Sequence, residues 1–382
     1  MTSVQIADRR TAPRHIVVIL PRWVGDFVMS TPMLRSVRDH FGTGTRITAV
    51  LKPMFAELLA GSSWVDELVF YDRRSREPAR RFRAVARRLR EDPADVALVV
   101  PNSLSSAALA FAGGARRRVG FARHWRRWLL TDPLEPERGS PRGGWLHRWR
   151  VEPASPAGHS MDLAERIGVP RGPLTLQLAT TPADEAAADE VLARLFDRPA
   201  GRSGEVDGPL VVFNDNGAYG PSKAWGGERF AALARLAVER LPGCRVLVHC
   251  GPGDRDDARE IARRVAHPAV QSLADVEKLP FGLAKALLRR AAVLVTSDSG
   301  PRHIAAAFGT PTVVLHGPMD PRLSRSDQRN LVEMRLDLPC SPCGKRACPL
   351  GHHDCMRLLT VEDVGVAMLS LLHAGAARGR VA

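Results

Sequence analysis

Residues 293–309 of this 382-residue chain join a short apolar run to a turn of small residues and then to an apolar helical pattern. The run ends at Thr296, the turn Ser297-Asp298-Ser299-Gly300 follows, and a helix is expected to begin at Pro301. A strand, a tight turn and a helix in this order present backbone N–H groups and the positive end of the helix dipole at one point. The segment predicts either an anion site that suits a diphosphate or an ordinary helix capped by Asp298 or Ser299.

Two more turns follow apolar runs in the same way. The turn at residues 214–225 contains Gly217 and Lys223, and it places a cation where it could reach an anion held by backbone N–H groups. The turn at residues 21–26 lies near the N-terminus and ends in a carboxylate, Asp26. We therefore expect Lys223 to contact a phosphate and Asp26 to act as a base that faces the phosphate site.

The chain alternates short apolar runs with helical patterns, which predicts parallel sheets with helices on both faces. The runs expected to form strands are residues 16–20, 47–51, 68–71, 96–100, 210–213, 246–249, 291–296 and 312–315. Between residues 131 and 158, prolines, glycines and arginines cluster without periodicity, so we expect a long surface loop there. Ligands of such doubly wound sheets bind beyond the carboxyl ends of the strands, where Asp26 and the turn after Thr296 lie.

Four sequence motifs occur in order along the chain. They are residues 24–34 (VGDFVMSTPML), 217–225 (GAYGPSKAW), 297–311 (SDSGPRHIAAAFGTP) and 340–356 (CSPCGKRACPLGHHDCM). Together they resemble glycosyltransferase family 9, the ADP-heptose:lipopolysaccharide heptosyltransferases, and most closely its heptosyltransferase II branch. The resemblance covers most of the chain and implies an α/β protein of the GT-B fold, in which two doubly wound Rossmann-like domains face a cleft. It implies an acceptor-binding domain at residues 1–175, a nucleotide-sugar-binding domain at 176–360, and a C-terminal helix at 361–382 that packs back across the domain junction.

The resemblance also implies an activity, namely inverting transfer of heptose from ADP-heptose to the inner core of lipopolysaccharide. It carries the role of catalytic base onto Asp26. The donor-binding residues that it implies are Gly217, Lys223, Asp254, Asp298, Ser299, Gly300 and His303. Asp254 would contact the ribose, with Asp256 and Asp257 as alternatives in the same loop, and His303 could instead be a packing residue. Backbone amides and a lysine would hold the diphosphate, so no cofactor is expected to be required.

The formal net charge of +14 calls for an anionic partner. Arginines cluster within residues 72–91, where apolar residues recur at helical spacing, and again within residues 116–128, where tryptophans are interleaved. One face of the predicted helix can pack while its arginines project elsewhere. The arginines that we expect to bind an anionic lipopolysaccharide core acceptor are Arg80, Arg83, Arg87 and Arg123. The alternative is an ordinary solvated helix face.

Two other functions stay open at this stage. A family relative that moves another nucleotide-activated sugar to a different glycan would carry similar donor turns. A non-enzymatic nucleic-acid-binding protein would use the basic clusters and a zinc knuckle. The three strand-end turns would then have no purpose, so we expect no nucleic-acid partner.

The apolar runs also bear on location. None approaches the roughly 20 residues that cross a bilayer, and the arginines near the N-terminus disfavour a signal peptide. We therefore expect a cytoplasmic protein that binds peripherally to the inner face of the cytoplasmic membrane.

Four cysteines near the C-terminus have the spacing C-x2-C-x4-C-x6-C. They are Cys340, Cys343, Cys348 and Cys355. This spacing could surround a tetrahedral zinc ion with a structural role. Because disulfides are disfavoured in the cytoplasm, unligated thiols are the alternative. Cys244 and Cys250 flank an apolar run and are expected in the core.

Overall fold

The computed structural model of the protein describes residues 12–135, 155–196, 208–215 and 219–376. The chain divides into two compact units. The first unit consists of residues 1–175 with 322–326, and the second of residues 176–321 with 327–382. None of the helices within the described ranges is both long and apolar enough to cross a membrane.

The first unit is a six-stranded parallel sheet with helices in its crossovers. Its strands are β1 His15–Ile19, β2 Arg46–Leu51, β3 Glu67–Phe70, β4 Val96–Val99, β5 Arg117–Phe121 and β6 Asp132–Leu134. Its helices are α1 Val24–Val28, α2 Thr31–Phe41, α3 Ala56–Leu59, α4 Phe82–Glu91, α5 Leu104–Ala112 and α6 Pro156–Glu165. The strand order is β3-β2-β1-β4-β5-β6, so the direction of winding reverses between β1 and β4.

The sequence predicts most of this unit for a simple physical reason. Central strands of a parallel sheet are covered on both faces, and all five residues of β1 are buried. The predicted arginine-rich helix is α4, whose buried residues are Val85, Ala86 and Leu89.

The prediction of a loop throughout residues 131–158 is wrong at both ends. Residues 132–134 form β6, a half-buried edge strand too short and polar to show an apolar run, and α6 begins at Pro156.

The second unit repeats the same architecture. Its strands are β7 Leu210–Asn214, β8 Arg245–Val248, β9 Val270–Ser272, β10 Val293–Ser297, β11 Thr312–His316 and β12 Leu331–Arg335. Its helices are α7 Pro182–Leu195, α8 Gly227–Arg240, α9 Arg255–Val265, α10 Phe281–Arg290, α11 Gly300–Phe308, α12 Asp354–Arg357 and α13 Val361–Ala376. All strands are parallel in the order β12-β11-β10-β7-β8-β9, so the winding reverses between β7 and β10.

The last helix packs within the second unit. Helix α13 contacts α8, β10 and β11, and at Gly365 a Cβ atom would lie only 3.2 Å from Leu236. Its packing across the domain junction stays a prediction. Trp225 is a core residue, since it is 1% exposed and donates from its indole Nε1 to the carbonyl of Leu359 at 2.9 Å. Cys244 and Cys250 are buried in the core, as expected.

A buried arginine fixes the loop that follows β5. Arg126 is fully buried, and its guanidinium donates to the carbonyl of Phe121 at 2.8 Å and to the side chain of Asn102 at 3.1 Å. The same group donates to the carbonyls of Pro101 and Ser103. Burial lowers the pKa of Arg126 to about 10, so the group stays charged at neutral pH. The charge is therefore stabilised by oriented carbonyl dipoles.

We expect Arg126→Met to lower the free energy of unfolding by about 2–4 kcal/mol, because several buried carbonyls lose a charged donor. Urea unfolding measures this loss. The neighbouring Arg127 is the control, since its exposed side chain pairs with an exposed Glu135 and Arg127→Met should cost less than about 1 kcal/mol. Equal losses in the two variants would contradict the anchoring role of Arg126.

Candidate active site

Polar residues of the second unit gather where the winding of its sheet reverses. Asn214 ends β7, and Ser297 ends the adjacent β10. Parallel strands end at the same edge, so the segments that follow β7 and β10 lie side by side there. This crevice is where doubly wound sheets bind their ligands.

A lysine and an arginine hold Asp298 from two sides. Lys223 donates from Nζ to Asp298 Oδ2 at 2.9 Å and to the Asp298 carbonyl at 2.5 Å. Arg302, one helical turn after Asp298, donates to Asp298 Oδ1 at 2.9 Å. Asp298 and Arg302 are buried, at 8% and 2% exposure. The Asp298 carboxylate is therefore neutralised by its own side-chain partners, and it does not cap the helix.

The charge cluster continues to β12. Arg302 donates to Glu333 Oε1 at 3.5 Å, and His316 Nε2 lies 3.0 Å from the same oxygen. Burial by itself raises the pKa of Asp298, but the Lys223 ammonium and the Arg302 guanidinium outweigh it and hold the pKa well below its usual range. Asp298 is thus an anion at any physiological pH. In the absence of a ligand, the charges of Lys223 and Arg302 are balanced by those of Asp298 and Glu333.

Helix α11 begins directly beside this cluster. Its N-cap residue, Ser299, makes no capping hydrogen bond with its side chain, and Gly300 is the first helical residue. The positive end of the α11 dipole therefore points toward Lys223. His303 is 5% exposed, and burial followed by the charge of Arg302 lowers its pKa to about 3. His303 is therefore a neutral imidazole, which can offer a hydrogen bond to a phosphate but not a charge.

An asparagine links three strand ends at the crevice. Asn214 Nδ2 donates to Ser299 Oγ at 3.0 Å and to Thr296 Oγ1 at 3.3 Å, and Asn214 Oδ1 lies 3.2 Å from Nδ1 of His249, which follows β8. Burial lowers the pKa of His249 to about 4. These neutral contacts position the Ser299 hydroxyl. The sequence places Asn214 at the start of a turn but indicates no role for it, because only the order of the strands in the sheet brings these residues together.

Asp215 ties the Lys223 turn to the sheet. Its carboxylate accepts from the backbone N–H groups of Trp225 at 2.7 Å and Gly226 at 3.2 Å, and its carbonyl accepts from Ser297 Oγ at 2.8 Å. Asp215 is 7% exposed, and burial raises its pKa to about 6 despite these backbone donors. Asp215 therefore holds both ends of the turn that carries Lys223. Nothing in the sequence distinguishes this aspartate from its neighbours.

Asp254, another predicted donor residue, lies elsewhere on this edge. Asp254 is the N-cap residue of α9, in the loop after β8, and it is half-buried. Burial and the charge of Asp257 raise the pKa of Asp254. An acidic residue after the second strand of a doubly wound half suits a ribose hydroxyl. Gly217 lies outside the described residues.

Asp26 occupies the matching position in the first unit. It lies in the first turn of α1, directly after the strand at which the winding of the first sheet reverses. The residue is half-buried, and its carbonyl accepts from Ser30 Oγ at 2.8 Å, which fixes the backbone of this turn. The carboxylate is thus placed at a strand end, as the sequence predicts.

The arginines expected to bind an acceptor do not all lie together. Arg83 and Arg87 line an open groove of about 630 Å³, together with Arg73 and Arg81, which the sequence did not single out. Arg80 precedes α4 in a 3₁₀ turn, where it pairs with Glu77 at 2.9 Å. Arg123 lies apart from them, half-buried in the loop after β5.

The four C-terminal cysteines are neighbours. Burial and then the charges of Cys343, Cys340 and Cys348 raise the pKa of Cys355, whereas backbone N–H groups, foremost that of His353, lower the pKa of Cys348. Across the described residues, however, no three His, Cys, Asp or Glu side chains are arranged to hold a metal ion. The structural zinc ion stays a prediction. Metal analysis of the purified protein decides between zinc and free thiols.

Comparisons with known proteins match this fold and sequence. The family model of glycosyltransferase family 9 (heptosyltransferase) matches residues 82–353. Lipopolysaccharide heptosyltransferase 2 of Escherichia coli K12 is 27% identical over 364 residues, which cover 94% of this chain and 98% of that protein. The solved structure of E. coli ADP-heptose lipopolysaccharide heptosyltransferase II has a TM-score of 0.73 at 23% identity and covers 95% of this chain and 99% of its own. A family 9 glycosyl transferase from Veillonella parvula has a TM-score of 0.76 at 21% identity, with 94% and 97% covered.

The two doubly wound sheets and the strand-end site define a glycosyltransferase of the GT-B class, which confirms the expected α/β fold. Because the family model matches well over half of the sequence, the chain belongs to glycosyltransferase family 9, the heptosyltransferases. The expectation of an enzyme is thereby confirmed, and a non-enzymatic nucleic-acid-binding function is set aside.

The raised pKa of Asp215 predicts a pH-dependent stability. The folded protein holds the Asp215 proton up to about pH 6, whereas the unfolded chain releases it near pH 3.8. Ionisation of Asp215 therefore lowers the free energy of unfolding as the pH rises through this window. Asp215→Asn keeps an acceptor oxygen but does not titrate. The difference between variant and wild type should rise by about 2 kcal/mol between pH 4 and pH 6.

Urea unfolding across this pH range measures the difference. The control is Asp337→Asn, the same substitution at a fully exposed aspartate of the same unit. A flat difference for Asp215→Asn would mean that Asp215 is ionised throughout the range.

Proposed function

We propose that this protein transfers heptose from ADP-heptose to the inner core of lipopolysaccharide, with inversion at the anomeric carbon. The observation that carries the proposal is the cation and helix N-terminus at the switch point of the second sheet, where Lys223 and α11 meet. Similarity along nearly the whole length of E. coli heptosyltransferase 2 supports the choice of donor and acceptor.

On the donor side, the backbone N–H groups at Ser299 and Gly300 would hold the diphosphate at the start of α11. Lys223 would neutralise the charge that develops on the leaving ADP. His303 would donate one neutral hydrogen bond, and Asp254 would accept from the ribose. Asp298 acts indirectly, because its carboxylate aims Lys223 and is itself neutralised by Arg302. Gly217 stays a predicted donor contact.

On the acceptor side, Asp26 would take the proton of the attacking hydroxyl. The hydroxyl oxygen forms the new bond to the anomeric carbon while the bond from that carbon to the diphosphate oxygen breaks, and ADP leaves with the electron pair. Attack opposite the leaving group in a single displacement inverts the anomeric carbon. The charge stabilisation comes from Lys223 and the α11 amides, so the proposed reaction requires no cofactor.

The acceptor is an anionic glycolipid in this proposal. Arg83 and Arg87 are exposed on α4, and the described residues include no acidic partner for either of them. Their groove suits the phosphate groups of a lipopolysaccharide core. Because such an acceptor is anchored in a bilayer, we place the enzyme at the inner face of the cytoplasmic membrane. Arg123 stays a predicted acceptor contact.

Calorimetric titration with ADP, UDP and GDP, followed by a transfer assay with ADP-heptose and a lipid-linked core acceptor, tests the proposal. We expect ADP to bind more tightly than UDP or GDP and heptose to appear on the acceptor. Preference for UDP or GDP would favour a family relative that uses another nucleotide-sugar.

We expect Asp26→Asn to lower kcat about 100-fold or more, because the general base is lost while the shape is kept. ADP affinity should stay unchanged, since Asp26 does not touch the donor in this proposal. Single-turnover transfer measures the first quantity and calorimetry the second. Asp39→Asn, on the exposed surface of α2, is the control and should transfer normally. Normal turnover by Asp26→Asn would remove Asp26 from the mechanism.

We expect Lys223→Ala to weaken ADP binding about tenfold or more while adenosine binding scarcely changes, because the partner of Lys223 is the diphosphate. Calorimetry with both ligands measures the contrast. Equal weakening of ADP and adenosine would show that Lys223 supports the fold and does not contact phosphate.

Glu333→Gln should have the opposite effect on ADP binding to Lys223→Ala. Glu333 balances Arg302 and lies on β12, and removing its charge leaves the cluster with an excess of positive charge. ADP should then bind more tightly, by about twofold to tenfold, with adenosine unchanged. If Glu333→Gln weakens ADP binding, the electrostatic account of the site is wrong.

We expect the Arg83→Gln, Arg87→Gln double variant to raise the KM for a phosphorylated glycolipid about threefold or more at low salt and to flatten its salt dependence. ADP affinity should not change. Arg88→Gln is the matched control, since Arg88 lies on the same helix but pairs with Glu67 at 2.7 Å. Equal KM values in wild type and double variant would leave Arg83 and Arg87 as a solvated face.

A further inference from the structure

The exposed large apolar side chains of the first unit are unevenly distributed. Within the described residues of this unit, most of them lie three to seven residues after the carboxyl ends of strands, and the exceptions are Phe111 and Leu323. The exposed fractions are 53% for Trp23 after β1, 53% for Met54 after β2, 47% for Leu104 after β4, and 94% for Trp125 and 72% for Trp128 after β5. We call this surface the carboxyl edge of the first sheet.

These strands are immediate neighbours in the order β2-β1-β4-β5. Parallel strands end on the same side of a sheet, and four neighbours at the usual spacing span about 15 Å. The exposed side chains therefore share one edge of the molecule. Asp26 follows β1 at this same edge. Clustered exposed apolar side chains mark an interaction surface, whereas single ones do not.

The loop after β5 holds its tryptophans outward. His124 and Trp125 have φ angles of 52° and 59°, in the left-handed region that residues other than glycine and asparagine rarely occupy. Arg126, the next residue, is fully buried and bonded to the segment after β4. The buried guanidinium fixes the turn from below, so that Trp125 projects into solvent.

The same edge is rich in arginine. Arg123 and Arg127 alternate with Trp125 and Trp128 in the chain, and Arg127 is exposed and pairs with the exposed Glu135. The arginine groove begins after β3, the next strand beyond β2, and continues onto the first turns of α4. Tryptophan and arginine together suit the headgroup level of an anionic bilayer, where the indole ring is partly buried and the guanidinium meets phosphate.

We propose that the carboxyl edge of the first sheet docks on an anionic phospholipid bilayer, with Trp125 and Trp128 entering the headgroup region. The proposal rests on the proposed function in one respect, since it turns Asp26 toward the membrane that holds the acceptor. Single-stranded nucleic acid fits less well, because base stacking uses aromatic rings that line a groove, and these tryptophans protrude on a turn.

Vesicle flotation with phosphatidylglycerol and with phosphatidylcholine tests the proposal on the full chain. We expect wild type to bind phosphatidylglycerol vesicles, and the Trp125→Asn, Trp128→Gln double variant to bind about tenfold more weakly or less. Asparagine at position 125 tolerates the left-handed backbone. Brominated acyl chains should quench tryptophan fluorescence in wild type and quench it far less in the double variant.

Phe111→Gln is the matched control, since Phe111 is 52% exposed in the same unit but lies near the far end of α5. It should float like wild type. Equal flotation of wild type and the double variant would overturn the proposal, as would tighter binding to single-stranded RNA that is lost in the same variant.

A transfer assay separates this proposal from the proposed function. The double variant should glycosylate a water-soluble, delipidated core acceptor at the wild-type rate and a vesicle-borne acceptor about tenfold more slowly. If wild type glycosylates the soluble acceptor but does not float with vesicles, docking fails and the function stands. If wild type floats through its tryptophans but transfers heptose to neither acceptor, the function fails and docking stands.

Discussion

Parallel pairing of the strands is the constraint on which the rest of this structure depends. Each parallel pair needs a crossover, so all six strands of a sheet end at one edge. Residues that are far apart in the chain, such as Asn214, Ser299 and His249, therefore meet within hydrogen-bonding distance. The reversal between β7 and β10 opens a crevice beside them. Because parallel strands end at one edge, several turns that are each ordinary in sequence lie together and can form a ligand site.

Charge balance decides what the crevice can bind. A buried carboxylate beside a diphosphate would repel it, yet Asp298 lies between Lys223 and Arg302, and these two cations outweigh its charge. In the proposed function, Asp298 aims Lys223 at the start of α11. Glu333 in turn balances Arg302 from β12. In the proposed function, anion affinity therefore also depends on Arg302 and Glu333, which do not touch the ligand, because charges interact strongly in a region of low dielectric.

The two units use the same architecture for different surfaces. The carboxyl edge of the second sheet carries buried charges and neutral histidines, which suit a small polar ligand. The corresponding edge of the first sheet carries exposed tryptophans and arginines beside Asp26. Most of that difference lies in the segments that follow the strands, although Asn214, His316 and Glu333 of the second sheet lie on the strands themselves.

Local sequence determined the parts of this protein that depend on near neighbours. Apolar runs placed most strands, the spacing of Val85, Ala86 and Leu89 marked the buried face of α4, and small-residue turns marked the strand ends. What needed the tertiary structure was pairing across the chain. The three-residue strands β6 and β9 and the burial of Arg302 and Asp215 follow from which strands lie side by side. Burial and partner distances set the charge state of a side chain, and neither is encoded by the residues next to it.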